Sequence, residues 1–285
     1  MGLYPPFGPI ALDLTGLGLP IVVHWYGVIL MSGAMLAGYL SSRRAAARGE
    51  DPEDVWNLLM LGLLFGVVGA RAYYVIFEWP RFAGKDLLFI INPQTGGLAI
   101  HGAIIGAMLA TVIFTRRRGL DLLKWLDMCM PTFMLAQAVG RWANFINQEA
   151  YGRPTNLPFG LIIDQQHRLP PYDDMAQYPP GTLFHATFLY ESLWNLVGFG
   201  LLLWIERRFA GWLKKGDIAL LYACWYGLGR LWVESFRTDS ICSNGIGGEC
   251  GGALRVAQIA SILLLIGGLA GLAWQHRSQA RAATA

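Results

Sequence analysis

Long apolar stretches, separated by short polar clusters, run through the whole chain. Each is about 20 residues long, the length that a helix needs to cross the hydrocarbon core of a bilayer. Seven stretches predict membrane helices over residues 21–40, 55–77, 97–115, 122–145, 184–205, 218–236 and 254–274. The predicted fold class is therefore all-α: a polytopic membrane protein with about seven transmembrane helices in a single integral membrane domain over residues 1–285.

Composition supports a bilayer environment. The 285 residues are 54% hydrophobic and only 14% charged, whereas a soluble domain carries about 25% charged residues. The 35 glycines suit helices that pack closely in lipid. The net charge of +3 does not indicate nucleic acid as a partner, because the basic residues lie at the ends of predicted loops. Residues 1–20 contain no Lys or Arg, so we expect no cleavable signal peptide.

Basic residues orient the predicted helices. They follow the first, third, fifth and seventh stretches, at Arg43, Arg44, Arg48, Arg116, Arg117, Arg118, Lys124, Arg207, Arg208, Lys214, Lys215, Arg277 and Arg281. The alternate loops hold few, at Arg81, Lys85, Arg153 and Arg168. Because loops rich in Lys and Arg stay on the cytoplasmic side, we expect the N-terminus outside and the C-terminus in the cytoplasm.

Two segments on the outer side have a distinct composition. Residues 146–183 form a connection rich in Pro, Gly and Tyr, too long for a simple loop, and we interpret it as a folded extracytoplasmic cap. Residues 237–253 form a Gly-rich outer segment that contains Cys242 and Cys250. Because the outer side is oxidising, we expect these cysteines to form a disulfide.

Polar residues within the predicted helices concentrate at one depth. With the orientation above, the outer leaflet receives His24, Tyr26, Arg71, His101, Arg141, Asn144, Tyr226, Arg230 and Glu234. Each has an ordinary explanation alone: Arg71 could snorkel to the interface, and His24 could pack there. Snorkelling side chains should occur at both faces, however, and here five helices converge on one face. Because buried ionisable groups in membranes are usually functional, we predict a site there.

Helical spacing groups several of these residues. Tyr226, Arg230, Glu234 and Arg237 fall on one helix face, and Glu234 can pair with Arg230, a contact that could be purely structural. Arg141 and Asn144, three residues apart, also share a face. Three arginines against one or two carboxylates predict a net positive cavity at the depth of a phospholipid headgroup. Arginine forks match phosphate oxygens, so we expect an anionic ligand.

Four motifs carry a family resemblance. The stretch GRWANFINQEAYG at 140–152 closely resembles the signature of the prolipoprotein diacylglyceryl transferase family. HWYG at 24–27, GLAIHG at 97–102 and YGLGR at 226–230, followed by Glu234 and Arg237, resemble its other motifs in order. The chain departs from the family pattern at Ala103, which could narrow the space near His101, at Ala186, and in a longer outer segment at 238–252.

The resemblance implies a reaction and its partners. A diacylglyceryl group would pass from phosphatidylglycerol to the lipobox cysteine thiol in the signal peptide of a prolipoprotein, forming a thioether and releasing glycerol phosphate. The location would be the bacterial cytoplasmic (inner) membrane, among membrane lipids. No cofactor is expected, and no metal ligand set is evident.

The candidate residues fit such a reaction. A thiol with a pKa of about 8.5 needs a base, and His101 is the candidate by type and depth, with Tyr26 and Glu149 as alternatives. Arg141 and Arg230 would hold the phosphodiester and stabilise the leaving phosphate. Asn144 and Glu149 would position the glycerol headgroup or brace the arginines, Glu234 would orient Arg230, and Gly152 would allow close approach of the outer loop. The remaining candidates for substrate binding are Asn147, Tyr226, Arg237, His24 and Arg71.

Three other classes of protein compete with this interpretation. An anionic lipid or anion transporter shares the cationic cavity but should need polar residues in the inner half of the membrane, and internal repeats are typical of many transporters. Neither feature is visible in the sequence. An intramembrane hydrolase should need a nucleophile and base at matched depth, and Ser32 and Ser192 have no evident partner. In a purely structural subunit, buried arginines would be an unexplained cost.

Overall fold

The computed structural model describes residues 2–92, 95–243, 250 and 253–282, and this part of the chain is mostly helical. Its α-helices are α1 (Trp25–Ala46), α2 (Pro52–Phe77), α3 (Leu87–Ile91), α4 (Ile100–Arg118), α5 (Leu122–Ile146), α6 (Thr187–Arg208), α7 (Asp217–Glu234) and α8 (Val256–Ala282). Two small antiparallel sheets pair β1 (Ile10–Asp13) with β2 (Val22–His24) and β3 (Leu161–Ile162) with β4 (Leu183–Phe184).

The long helices coincide with the seven predicted stretches. Of the α-helices that the structure describes, only α3 has no predicted counterpart. Within the described residues, four helices are long and apolar enough to cross a membrane: Pro52–Phe77, Ile100–Arg118, Thr187–Arg208 and Val256–Arg277. The chain therefore has the character of a polytopic membrane protein.

Four helices, α1, α4, α6 and α8, begin two to four residues later than predicted. For two of them, a strand takes the preceding residues. The first begins at Trp25 because Val22–His24 pairs with Ile10–Asp13. The fifth begins at Thr187 because Leu183–Phe184 pairs with Leu161–Ile162. The all-α prediction therefore missed two small sheets.

The helix ends follow ordinary capping chemistry. Asp51 caps α2 by accepting a hydrogen bond from the backbone N–H of Glu53 at 2.9 Å, and Pro52 occupies the first turn, where its missing N–H does no harm. Gly119 ends α4 in a left-handed conformation at φ 66°. The last turns of α1, α4 and α6 carry arginines, which interact favourably with the negative end of a helix.

The chain divides into two compact units, residues 38–128 and residues 1–37 with 129–285. In the unit 38–128, α2 and α4 are in backbone contact. A Cβ added at Gly69, Gly102 or Gly106 would overlap a backbone carbonyl group of the other helix. Glycine at these positions lets the two backbones approach each other.

The other unit contains the long connection between α5 and α6, which has a core of its own. Buried aromatic and aliphatic residues cluster there, namely Phe145, Ile146, Tyr151, Leu161, Ile163, Tyr172, Phe184, Ala186 and Phe188. Arg168 is buried beside this core and donates hydrogen bonds to the backbone carbonyls of Ile163 at 2.9 Å and Tyr178 at 2.6 Å. The segment predicted as a cap is thus compactly folded.

The Gly-rich segment contains the disulfide expected from the sequence, between Cys242 and Cys250, with a Cα–Cα distance of 5.4 Å. The rest of that segment at 244–249 and 251–252 lies outside the described residues.

Candidate active site

Three arginines, one from α5 and two from the end of α7, contact one buried carboxylate, Glu191 on α6. Its Oε2 lies 2.7 Å from Nη2 of Arg141, which is on α5. Its Oε1 lies 3.5 Å from Nη1 of Arg230, on α7, and 3.7 Å from Nη1 of Arg237, just after α7. We call Arg141, Arg230, Arg237 and Glu191 the arginine cluster. Residues far apart in sequence thus form one ionic group.

A reciprocal pair of tryptophans sets α6 against α7. The indole N–H of Trp194 donates to the carbonyl of Trp225 at 3.1 Å, and the indole N–H of Trp225 donates to the carbonyl of Trp194 at 3.0 Å. Their rings stack at 4.3 Å, and Gly198 and Gly229 leave the space that the indoles fill. This joint holds Glu191 opposite Arg230.

A second joint sets α5 against α6. The indole N–H of Trp142 donates to Oγ of Ser192 at 3.2 Å, and that hydroxyl donates to the carbonyl of Ala138 at 2.9 Å. The rings of Phe145 and Phe188 stack at 4.6 Å. Trp142, which follows Arg141, is thus hydrogen-bonded to Ser192, which follows Glu191. This contact fixes the ion pair between Arg141 and Glu191. Ser192, for which the sequence shows no evident partner, is hydrogen-bonded to both Trp142 and Ala138.

Arg230 and Arg237 each have a further carboxylate. Nη2 of Arg230 lies 2.7 Å from Oε2 of Glu234, the pair expected from helical spacing. Arg237 donates to both oxygens of Asp239, at 2.8 Å from Nε and 2.6 Å from Nη2. Burial raises the pKa of Asp239, but hydrogen bonds and charge from Arg237 outweigh burial and leave the pKa below its usual value. Asp239 is therefore ionised at neutral pH.

The predicted net positive charge of this group is wrong. Among the described residues, Arg141, Arg230 and Arg237 face three carboxylates, those of Glu191, Glu234 and Asp239. Glu191 and Asp239 were missed by the sequence reasoning. A signal for Glu191 was present, since a carboxylate stands near the outer end of the predicted fifth helix, at the depth of the other charges.

Asn144 links the arginine cluster to Glu149. Arg141 donates to Oδ1 of Asn144 at 3.4 Å, and Nδ2 of Asn144 donates to Oε1 of Glu149 at 2.7 Å. The residues on either side of Glu149, Gln148 and Ala150, have φ of 52° and 57°, a conformation that non-glycine residues rarely adopt. Glu149 therefore lies in a sharp turn of the backbone.

Side-chain hydrogen bonds secure that turn. Nε2 of Gln148 donates to Oδ2 of Asp164 at 2.7 Å, and the backbone N–H of Asp164 donates to Oε1 of Gln148 at 2.7 Å. The hydroxyl of Thr187 donates to the carbonyl of Ala150.

Three further candidate residues of this unit are Tyr226, Tyr26 and Asn147. Tyr226 lines a small cavity beside Glu191 and Arg230 with room for a single water molecule. Tyr26, in the first turn of α1, lies within range of the charges of Glu149 and Arg141. Asn147 ends the α5 turn, its N–H donating to the carbonyl of Ala143 at 3.0 Å.

Gly152 and His24 have backbone roles in the described structure. Gly152 pairs in a β-bridge with Arg237, and a Cβ there would lie 2.7 Å from Cβ of His185. Its close approach is therefore to the chain itself. His24 is exposed at the end of β2, opposite Ile10.

His101 and Arg71 belong to the unit 38–128. His101 is exposed on the first turn of α4, its ring centre 5.8 Å from that of Tyr73, and its closeness to the arginine cluster stays a prediction. The predicted role of Arg71 in substrate binding is not supported. Its guanidinium is buried and fully hydrogen-bonded within its own unit, as described below. Among the described residues, no three His, Cys, Asp or Glu side chains come together as a metal site.

Comparison with known proteins decides the family. The model of the prolipoprotein diacylglyceryl transferase family matches residues 9–274. A phosphatidylglycerol–prolipoprotein diacylglyceryl transferase of Chloroflexus aggregans is 57% identical over 93% of this chain and 89% of its own length. Proteins of the same name from Geobacillus kaustophilus and Gloeobacter violaceus are 43% and 41% identical, over 87% and 96% of this chain and 86% and 95% of theirs.

The chain belongs to the prolipoprotein diacylglyceryl transferase family.

In this member of the prolipoprotein diacylglyceryl transferase family, the stretch 140–152 that suggested the relationship is also a connected structure. It carries Arg141 into the ion pair with Glu191, and Asn144 and Glu149 into one hydrogen-bonded chain.

Proposed function

We propose that this protein transfers the diacylglyceryl group of phosphatidylglycerol to the lipobox cysteine of a prolipoprotein signal peptide. Both substrates appear in the names of its relatives. The observation that carries the proposal is the arginine cluster, because guanidinium groups held together by one carboxylate suit a phosphate ester. The expected products are a thioether on the cysteine and glycerol phosphate.

The transfer is a displacement at carbon. The cysteine thiolate attacks the glycerol carbon that carries the phosphate, a carbon–sulfur bond forms, and the carbon–oxygen bond breaks. The electron pair of that bond leaves with the phosphate, whose charge rises in the transition state. Arg141 and Arg230 would stabilise this charge, and preorganised donors of this kind are usually the largest contribution to catalysis.

The cluster retains donors for such a ligand. A guanidinium has five N–H groups. The contacts within the described residues engage Arg141 through Nη1 and Nη2, and Arg230 through Nη1 and Nη2. Glu191 and Glu234 would therefore hold the two guanidinium planes while other N–H groups bind phosphate oxygens.

The thiol also needs a base, since only a few per cent of a thiol with a pKa of about 8.5 is ionised at neutral pH. His101 is the proposed base, with Tyr26 and Glu149 as alternatives. Of these, Glu149 is bonded to Asn144 beside Arg141, and Tyr26 is within range of the same charges. Asn144, Asn147, Tyr226 and Arg237 would complete the substrate contacts.

The proposed location is the bacterial cytoplasmic membrane, with about seven crossing helices, the N-terminus outside and the C-terminus inside. The arginines in the last turns of α1, α4 and α6 support this orientation. The compact segment at 146–183 and the Gly-rich segment at 237–253 would then lie on the outer side.

A mass measurement tests the activity. Purified protein in phosphatidylglycerol vesicles is mixed with a peptide that carries a lipobox cysteine, and the peptide mass is followed. We expect an increase equal to one diacylglyceryl group, lost when the cysteine is replaced by serine. Lipid movement across the vesicle bilayer without any adduct would instead identify a transporter.

A further inference from the structure

Arg71 is buried, with 5% of its surface exposed, and all five of its N–H donors are directed at α3 and the loop that follows it. The acceptors are the hydroxyl of Thr95 at 2.7 Å and the backbone carbonyls of Ile90 at 2.8 Å, Phe89 at 2.9 Å, Gly97 at 3.1 Å and Gly96. A guanidinium has no other donors. Arg71 is thus occupied by its own chain and has none left for a ligand.

The backbone carbonyl groups that Arg71 contacts need a hydrogen-bond donor. The short helix α3 cannot satisfy the carbonyls at its C-terminal end, and its side chains Leu87, Leu88 and Ile91 are apolar and more than half exposed. In an apolar environment, each unpaired carbonyl costs several kcal/mol. A planar group with five fixed donors can satisfy several carbonyls at once, whereas the ammonium group of lysine has three donors and no planar fork.

The loop that follows α3 leads directly into α4, and further contacts with α2 fix it just before α4 begins. Gly96 and Gly97 have φ of 84° and 81°, and a Cβ at Gly97 would overlap the ring of Tyr74. The N–H of Ala99 then donates to the carbonyl of Ala70, the residue before Arg71, at 3.1 Å. Between Thr95 and Ala99, the path of the chain is therefore set by α2.

His101 is the second residue of α4, immediately after this fixed segment. Its ring packs toward Tyr73 on α2. The first turn of α4, and with it the place of the imidazole, depends on the loop that Arg71 holds.

We propose that Arg71 is a positioning residue for the transfer reaction: it fixes the loop 95–99 and so places His101 on the first turn of α4. This inference rests on the proposed function, in which His101 acts on the thiol. It replaces a direct contact of Arg71 with substrate.

Two variants perturb the loop by independent routes. Arg71→Lys keeps the charge but has too few donors, and Gly97→Ala keeps Arg71 but crowds Tyr74. We expect both to lower kcat roughly tenfold or more, since small misplacements of a reacting group are costly, with KM for phosphatidylglycerol changed less than about threefold. Arg117→Lys is the control, because Arg117 is exposed on the last turn of α4, at the opposite end of that helix from His101.

Hydrogen exchange of the peptide 95–104 provides a readout that does not depend on catalysis. We expect faster exchange in Arg71→Lys and Gly97→Ala than in the wild-type protein and in Arg117→Lys. If Arg71→Lys fails to fold, Gly97→Ala decides alone.

Several outcomes would overturn the inference. They are unchanged exchange, faster exchange with unchanged kcat, or a large rise in KM for Arg71→Lys that Gly97→Ala does not reproduce. A wild-type protein that forms no peptide adduct would refute the proposed function, while the exchange measurement would still report on the loop.

Discussion

Glu191 determines how the arginines can lie so close together. Two guanidinium groups in a medium of low dielectric repel each other strongly, yet Arg141 and Arg230 both contact this carboxylate, one at each oxygen. Glu191 is buried, with 7% of its surface exposed. The Glu191 carboxylate therefore compensates the positive charges of Arg141 and Arg230 and also orients their guanidinium groups.

Replacing Glu191 by glutamine tests whether the positions of Arg141 and Arg230 depend on the Glu191 carboxylate. Glu191→Gln keeps the shape but leaves Arg141 and Arg230 without their shared counter-charge, and breaking a buried ion pair typically costs about 3–5 kcal/mol. We expect a lower thermal unfolding temperature in detergent and a loss of turnover of roughly tenfold or more. Glu53→Gln, at an exposed residue in the first turn of α2, is the matched control. Equal stability and turnover in Glu191→Gln and Glu53→Gln would show that Glu191 does not organise the cluster.

The sequence could predict only part of this group. Helical spacing correctly paired Arg230 with Glu234, because residues four apart on one helix are neighbours whatever surrounds them. The contact of Arg141 with Glu191 joins different helices and depends on tertiary packing. Arg71 misled the prediction because a buried arginine has the same pattern in sequence whether its partners are a ligand or backbone carbonyls.

At the scale of elements, glycine determines how α2 and α4 pack. Helices in lipid lack a hydrophobic drive to associate, so close backbone contact must contribute instead. Gly69, Gly102 and Gly106 supply it, since a side chain at any of them would overlap the neighbouring backbone. Gly62, also on α2, has open space around it.

This contrast gives a paired prediction. Gly102→Ala should force the helices apart and destabilise the protein by about 1–3 kcal/mol, as overpacking generally does. Gly62→Ala should be neutral or stabilising by up to about 1 kcal/mol, because alanine favours helix. Thermal unfolding in the same detergent measures both. A Gly102→Ala protein as stable as Gly62→Ala would refute the proposed backbone contact.

The long helices were predictable because a run of about 20 apolar residues has few alternatives to a membrane helix. The segments around them were not. The β1–β2 and β3–β4 pairs involve strands of two to four residues, and α3 has five. Elements this short have too few residues for a periodic pattern, and they form because tertiary neighbours supply their hydrogen bonds.

At the scale of the whole molecule, the chain combines apolar helices with an ionic group in which three arginines of the described residues face the carboxylates of Glu191, Glu234 and Asp239. The arginine cluster draws Arg141 from α5, Glu191 from α6 and Arg230 from α7. Its stability comes from the joints around it, including the tryptophan pair between α6 and α7. The proposed reaction needs this arrangement because a phosphate leaving group in a membrane must find its counter-charges already in place.

The most direct test of this account is the turnover of Arg141→Ala in the peptide mass assay, beside Arg208→Ala, which removes an exposed arginine at the end of α6. We predict that Arg141→Ala loses roughly a hundredfold or more of its activity while remaining inserted and helical, and that Arg208→Ala stays near wild type. Near-normal turnover in a folded Arg141→Ala protein would contradict the phosphate-binding role of the cluster.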